Sequence, residues 1–194
     1  MTLGSLPNVI TVVRILLVFP TAWLLWQTRY VEALILMTIA GASDAVDGWL
    51  ARKLNAVSRV GAMLDPIADK LLVAAMLVMF AVQAHLPLWM VVIVIGRDVI
   101  IVGGASSYRL LFGSVEFAPT RISKANTAAQ IGVLLAMLLY LCEFGLLSEL
   151  VGMLLDPYSF YVLALLALAS GVDYVATWGS HTWRRLRAGE RYVR

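Results

Sequence analysis

Apolar runs of about twenty residues recur along this chain, with short polar links between them. A helix of that length spans about 30 Å, the thickness of a bilayer's hydrocarbon core. Of 194 residues, 61% are hydrophobic and 14% charged, whereas a soluble domain carries about 25% charged residues. One water-facing domain cannot bury that much apolar surface, so an all-α integral membrane protein is expected.

The runs predict six transmembrane helices: Asn8–Trp26, Val31–Leu50, Val60–Ala84, Leu88–Leu110, Ala125–Leu141 and Phe160–Trp178. Pro20 is placed to kink the first. Segments 111–124 and 142–158 are polar or acidic connections, and 179–194 is an arginine-rich tail. A single membrane domain over 1–194 is expected. The first residues lack a basic n-region and a small-residue cleavage site, so they are expected to be retained. The single cysteine, Cys142, excludes an internal disulfide.

Positive charge alternates from link to link. Arg52, Lys53 and Arg59 follow the second run. Arg121 and Lys124, with Arg109 at the edge, follow the fourth, and five arginines lie in the tail. The intervening links hold only Arg29. The positive-inside rule then puts both termini in the cytoplasm. Trp23, Trp26, Trp89 and Trp178 suit interfacial anchors or lipid-facing packing.

Within this apolar chain lie four aspartates, Asp44, Asp47, Asp65 and Asp69, on the predicted cytoplasmic side. Carboxylates near lipid are costly and mark functional sites. Asp44, Asp47, Gly48, Ala51 and Arg52 fall on one face if the second helix persists that far, and Gly61, Asp65 and Asp69 share a face of the third. Oxygen-only ligands without His or Cys suit a hard cation, Mg²⁺ or Mn²⁺, and two such ions could clamp an in-line displacement at phosphorus. Gly48 and Ala51 leave room for a flat or bulky group, and the planar fork of Arg52 suits a phosphate. A solvated helix cap explains one aspartate, but not four with shared faces.

The pattern D-x-x-D-G-x-x-A-R-x8-G-x-x-x-D-x-x-x-D resembles the signature of the CDP-alcohol phosphatidyltransferase family, matched at Asp44, Asp47, Gly48, Ala51, Arg52, Gly61, Asp65 and Asp69. The resemblance implies a six-helix membrane fold, a homodimer and a bacterial cytoplasmic membrane location. It implies an enzyme that displaces CMP from CDP-diacylglycerol with an alcohol, using Mg²⁺ or Mn²⁺, and no nucleic acid. Asp44, Asp47, Asp65 and Asp69 become metal ligands, with Asp69 also the catalytic base. Gly48, Ala51 and Arg52, with Asn8 and Thr11 on the first helix, become CDP-binding residues.

The acceptor is less sharply marked. Asn8, Thr11 and Arg14 share a face and resemble the first helix of the cardiolipin synthase and phosphatidylglycerophosphate synthase branches. Arg14, Arg97, Arg109, Arg121 and Lys124 are candidates for an anionic acceptor. Against that, Arg14 could snorkel to the interface and Arg97–Asp98 could be a structural ion pair. Thr127 and Gln130 continue the face of Lys124. GRDVIIVGG and SKANTAAQ resemble the cardiolipin synthase branch, which takes phosphatidylglycerol, and SGVDY the glycerol 3-phosphate branch. Phosphatidylglycerol is the preferred expectation. A divalent-cation transporter is the rival from another class, but it would want carboxylates in the opposite half of the membrane as an exit.

Overall fold

The computed structural model describes residues 6–41, 61–112, 120–155 and 157–187; for 6–14, 61–69, 108–112, 157 and 180–187 the backbone alone is described. All the described elements are helices. They are α1 Leu6–Trp26, α2 Tyr30–Gly41, α3 Gly61–Val82, α4 Leu88–Phe112, α5 Arg121–Leu141, α6 Leu146–Leu154 and α7 Pro157–Arg187. Three stretches are long and apolar enough to cross a membrane: Leu88–Ser107, Arg121–Leu141 and Tyr158–Gly179. Shorter apolar stretches lie in α1, α2 and α3.

Several boundaries differ from expectation. α3 ends at Val82, not Ala84, because Ala84 takes a left-handed conformation, φ 60°. The Ala84 N–H then donates to Ala81 O at 3.0 Å, and that of His85 to Phe80 O at 2.8 Å. This is a Schellman closure, usually built on glycine. α1 closes the same way on Thr28, φ 58°, with Arg29 N–H donating to Leu24 O at 2.9 Å.

α5 begins at Arg121 rather than Ala125. Thr120 is its N-cap, its Oγ1 accepting from the Ser123 N–H at 3.2 Å and satisfying one of the first turn's free donors. The acidic connection contains α6, nine residues long and so about 14 Å, too short to cross. It is pinned through Ser148, which donates to Leu139 O and accepts from the Phe144 N–H, both at 2.8 Å. α7 runs on past Trp178 through Arg187, into the arginine-rich segment.

The described helices fall into two compact units. The first holds α1, α2, α3, the end of α5 and α6; the second holds α4, the start of α5 and α7. In the first unit α1 packs on α3. Leu25, Met76, Leu77 and Phe80 are fully buried in its core. Pro20 lies inside α1, and next to it the buried Thr21 hydroxyl is satisfied by donating back to Leu17 O at 2.8 Å.

In the second unit α4 packs on α7. Met90, Val94 and Arg97 form the buried stripe of α4, and Ala164, Ala167 and Ser170 face inward from α7. Small residues let helix backbones approach closely in lipid, where interhelical attraction depends on packing and hydrogen bonds. The outward surfaces carry large exposed apolar side chains, including Phe19, Trp23, Val92, Val99, Leu165 and Val172. Such surfaces suit lipid and would be a liability in water.

Candidate active site

Two polar regions stand out, one in each unit. In the first, the C-terminal ends of α1 and α3 are tied together. The Gln83 amide donates to Leu25 O at 2.6 Å. The Tyr30 hydroxyl donates to Gln83 Oε1 at 3.5 Å and lies 3.2 Å from His85 Nε2. Helices that pack side by side and share their C-terminal ends run parallel, so their N-terminal halves also lie together.

Those halves carry the predicted site. Thr11 lies fourteen positions before Leu25, and Asp69 fourteen before Gln83, so each stands about 21 Å from the clasp. Asn8 is one turn further out on α1 and Asp65 one turn further out on α3; Gly61, Asp65 and Asp69 share a helical face. The fold therefore brings Asn8, Thr11 and Arg14 to the same end of one helix pair as Asp65 and Asp69. For these five residues the backbone placement is what the structure describes. Asp44, Asp47, Gly48, Ala51 and Arg52 lie outside the described residues. Among the described residues no group of three or more His, Cys, Asp or Glu forms a cluster. The donor set is carboxylate only, with Asp65 and Asp69 spaced one turn apart, and that chemistry fits a hard divalent cation.

The second region is built on Arg97, buried in α4. Its Nη1 donates to Asp98 Oδ1 at 2.5 Å and its Nη2 to Ser123 Oγ at 2.6 Å. Ser170 Oγ accepts from both Nε at 3.1 Å and Nη2 at 2.6 Å. Gln130 Nε2 donates to Asp98 Oδ2 at 3.4 Å. One guanidinium thus joins α4, α5 and α7. Gly171 on α7 sits so close that an added Cβ would lie 3.6 Å from Arg97 Cγ.

Sequence reasoning put Lys124, Thr127 and Gln130 on one face of α5. The inward face is instead Asn126 and Gln130, both buried, with the half-buried Ser123, while Lys124 is exposed. Arg121 is exposed as well, and the side chain of Arg109 lies outside the described residues. Ser123 and Ser170 were missed as partners of Arg97, since a serine in an apolar run carries no signal of what it meets across the fold. Asn126 was missed too. It is 0% exposed, and among the described residues neither its Nδ2 nor its Oδ1 has a hydrogen-bond partner.

The comparisons agree with the signature. The 34%-identical CDP-diacylglycerol–glycerol-3-phosphate 3-phosphatidyltransferase of Bacillus subtilis aligns over 94% of this chain and 97% of its own length. A cardiolipin synthase (CMP-forming)/mitochondrial hydrolase fusion protein of Schizosaccharomyces pombe is 34% identical over 88% of this chain, which spans 30% of that longer protein. Human cardiolipin synthase (CMP-forming) is 30% identical over 69% of this chain and half of its own length. The family described as CDP-alcohol phosphatidyltransferase matches residues 4–175, and the chain belongs to that family.

Proposed function

We propose that this protein transfers the phosphatidyl group of CDP-diacylglycerol to a glycerol-based alcohol and releases CMP. What supports the reading is that Asp65 and Asp69, one turn apart on α3, lie in the N-terminal part of that helix as Thr11 does in α1, with which α3 packs. The family match covers that whole region.

In this reading Asp69 takes the proton of the acceptor hydroxyl. The alcohol oxygen attacks the phosphatidyl phosphorus, a new P–O bond forms, and the P–O bond to CMP breaks. Arg52 holds the diphosphate, Gly48 and Ala51 make room for the cytidine, and Asn8 and Thr11 complete its site from α1. Two ions, Mg²⁺ or Mn²⁺, would be held by Asp44, Asp47, Asp65 and Asp69 and would offset the charge that develops on the leaving CMP. Arg14, Arg109, Arg121 and Lys124 are the candidates for acceptor charge. Arg97 contributes by holding α4, α5 and α7 in place, because its guanidinium is committed to Asp98, Ser123 and Ser170.

The same reading gives a single domain in the bacterial cytoplasmic membrane. α1, α2, α3, α4, α5 and α7 span it, both termini and the aspartates face the cytoplasm, and two copies form a homodimer. The alternation of basic links supports this orientation. Phosphatidylglycerol is the preferred acceptor, on the resemblance of GRDVIIVGG and SKANTAAQ to cardiolipin synthases. Glycerol 3-phosphate is the second reading, favoured by the near full-length match to the Bacillus subtilis protein.

The test is CMP release by purified protein given CDP-diacylglycerol, Mg²⁺ or Mn²⁺, and each acceptor in turn. Release with phosphatidylglycerol is expected. Release with glycerol 3-phosphate alone would establish the second reading. Absence of release with both, together with Mn²⁺ transport into sealed vesicles, would overturn the enzyme.

A further inference from the structure

The two sides of α6 are used differently. Ser148 is buried, and Val151, Gly152 and Leu155 are half-buried on the same side. The opposite arc carries Leu146, Leu147, Leu150, Met153 and Leu154, which are 49–74% exposed. Glu149, also exposed, stands at the edge of that arc. Five large apolar side chains on one arc of so short a helix would be a liability in water.

α6 and the end of α5 belong to one compact unit. Between them the chain turns sharply, with left-handed conformations at Glu143, φ 54°, and Gly145, φ 62°. Ser148 Oγ then donates to Leu139 O at 2.8 Å. A Cβ added at Gly152 would stand 2.8 Å from the Tyr140 ring, so the backbone of α6 rests on that ring. Ser148 and Gly152 are four positions apart, about 6 Å along the helix, yet both meet the last turn of α5. The two helices do not pack along each other as α1 and α3 do. α6 therefore crosses the end of α5. Where α5 crosses a bilayer, α6 lies along its surface.

The chain holds α6 at that level. It begins five positions after Leu141 and ends four before Tyr158, which bound two stretches long and apolar enough to cross a membrane. Links of that length reach about 17 Å at most. Tyr140 and Phe144 are exposed at the same corner, where aromatic rings favour the membrane interface. The apolar arc covers on the order of 140 Å² in projection, far below the roughly 800 Å² per partner that a stable protein interface buries. A second copy of the chain is therefore a poor occupant. No Lys or Arg lies between Ala125 and Trp183, so attraction to anionic headgroups does not hold α6 either. What remains is burial of the arc in hydrocarbon.

We propose that α6 is an interfacial helix lying flat in the membrane surface. Leu146, Leu147, Leu150, Met153 and Leu154 sink among the lipid acyl chains and Glu149 stays at the headgroups. The helix thereby fastens the link between α5 and α7 to the bilayer. The inference rests on the crossing of α5 and α7 in the reading above, and not on the reaction.

The test uses the full chain carrying Cys142→Ala, with one cysteine introduced at a time: Leu146→Cys, Glu149→Cys, Leu150→Cys or Met153→Cys. All four positions are exposed, so the core is untouched. Each is spin-labelled in phosphatidylcholine vesicles, and its collisions with oxygen and with a water-soluble nickel chelate give its depth. The labels at 146, 150 and 153 should share one depth, about 5–10 Å below the phosphates, with that at 149 shallower. A depth that changes by about 10 Å from 146 to 153 would mean an inserted helix and overturn the proposal. Free access of the chelate at 150 would overturn it in favour of water. Exclusion of both reagents there would overturn it in favour of a protein partner. The depths should be unchanged when phosphatidylglycerol is added; burial seen only with that anionic lipid would overturn the apolar attachment.

Labels from Ile131→Cys and Leu165→Cys report the crossing of α5 and α7 separately, and both should lie deep in the hydrocarbon. If they do not, the crossing fails and the labels on α6 still decide its own place. Absence of CMP release would leave every one of these depths as expected.

Discussion

Arg97 and Ser170 stand 73 positions apart in the chain, and their side chains meet at 2.6 Å. The serine accepts twice from one guanidinium, which also engages Asp98 on its own helix and Ser123 on α5. The ion pair of Arg97 with Asp98 is largely withdrawn from solvent, with side-chain exposures of 3% and 12%. Removing one partner of a buried ion pair leaves an uncompensated charge. Arg97→Ala is therefore expected to destabilise the protein by about 3–5 kcal/mol, whereas Ser170→Ala, which spares the ion pair, should cost about 1–3 kcal/mol. Thermal unfolding of the two variants in detergent checks the order. Equal losses would show that Asp98 does not depend on Arg97.

The left-handed caps give a prediction of opposite sign. Ala84 holds φ at 60° to close α3, a conformation that costs a non-glycine residue about 1–2 kcal/mol. Glycine adopts it freely, at an entropic cost of about 0.5–1 kcal/mol. Ala84→Gly is expected to raise stability by up to about 1 kcal/mol. Gln83→Leu should lower it, because the Leu25 carbonyl then loses its donor. Melting curves of the two variants, recorded side by side, test both signs.

Asp69 is proposed as the base, and general-base catalysis contributes roughly 10²–10⁴-fold to rate. Asp69→Asn should reduce CMP release by about that factor while keeping most Mn²⁺ binding, since an amide oxygen can still ligate. Chelation of divalent ions should abolish release in wild type, and added Mn²⁺ or Mg²⁺ should restore it. Full turnover by Asp69→Asn would remove that residue from the proton transfer.

Cys142 lies just beyond α5, where burial pushes its thiol above the ordinary range. The thiolate is the reactive form. Raising the pKa lowers the thiolate fraction at neutral pH, and the fraction grows as pH rises toward that pKa. Maleimide labelling at pH 7 should be slow in the native protein, faster at pH 9, and fast at pH 7 after denaturation in dodecyl sulfate. Rapid native labelling at pH 7 would contradict the burial of the thiol.

Much of the fold was legible because lipid imposes a coarse rule. Apolar runs near twenty residues become helices, and α1 and α4 follow their runs closely. Boundaries set by local hydrogen bonds were harder to read. Thr120 before Arg121 is an N-cap signal that the polar residues around it obscure. Ala84 and Thr28 gave no signal, since left-handed caps are normally announced by glycine. α6 is apolar but short, and the acidic residues in and around it make the segment read as a connection.

The sequence by itself determined the family of the protein and proposed where its carboxylate site lies. Four aspartates among apolar runs, at family spacing, are a local pattern that needs no knowledge of the fold. Only the tertiary structure decided the partners of Arg97, the buried face of α5 and the isolation of Asn126. Those depend on which residues meet across helices, and helical spacing restricts such meetings to a face but does not choose among its neighbours. A shift of one position, from Lys124 to Ser123, exchanges an exposed cation for a half-buried hydroxyl that joins α5 to α4.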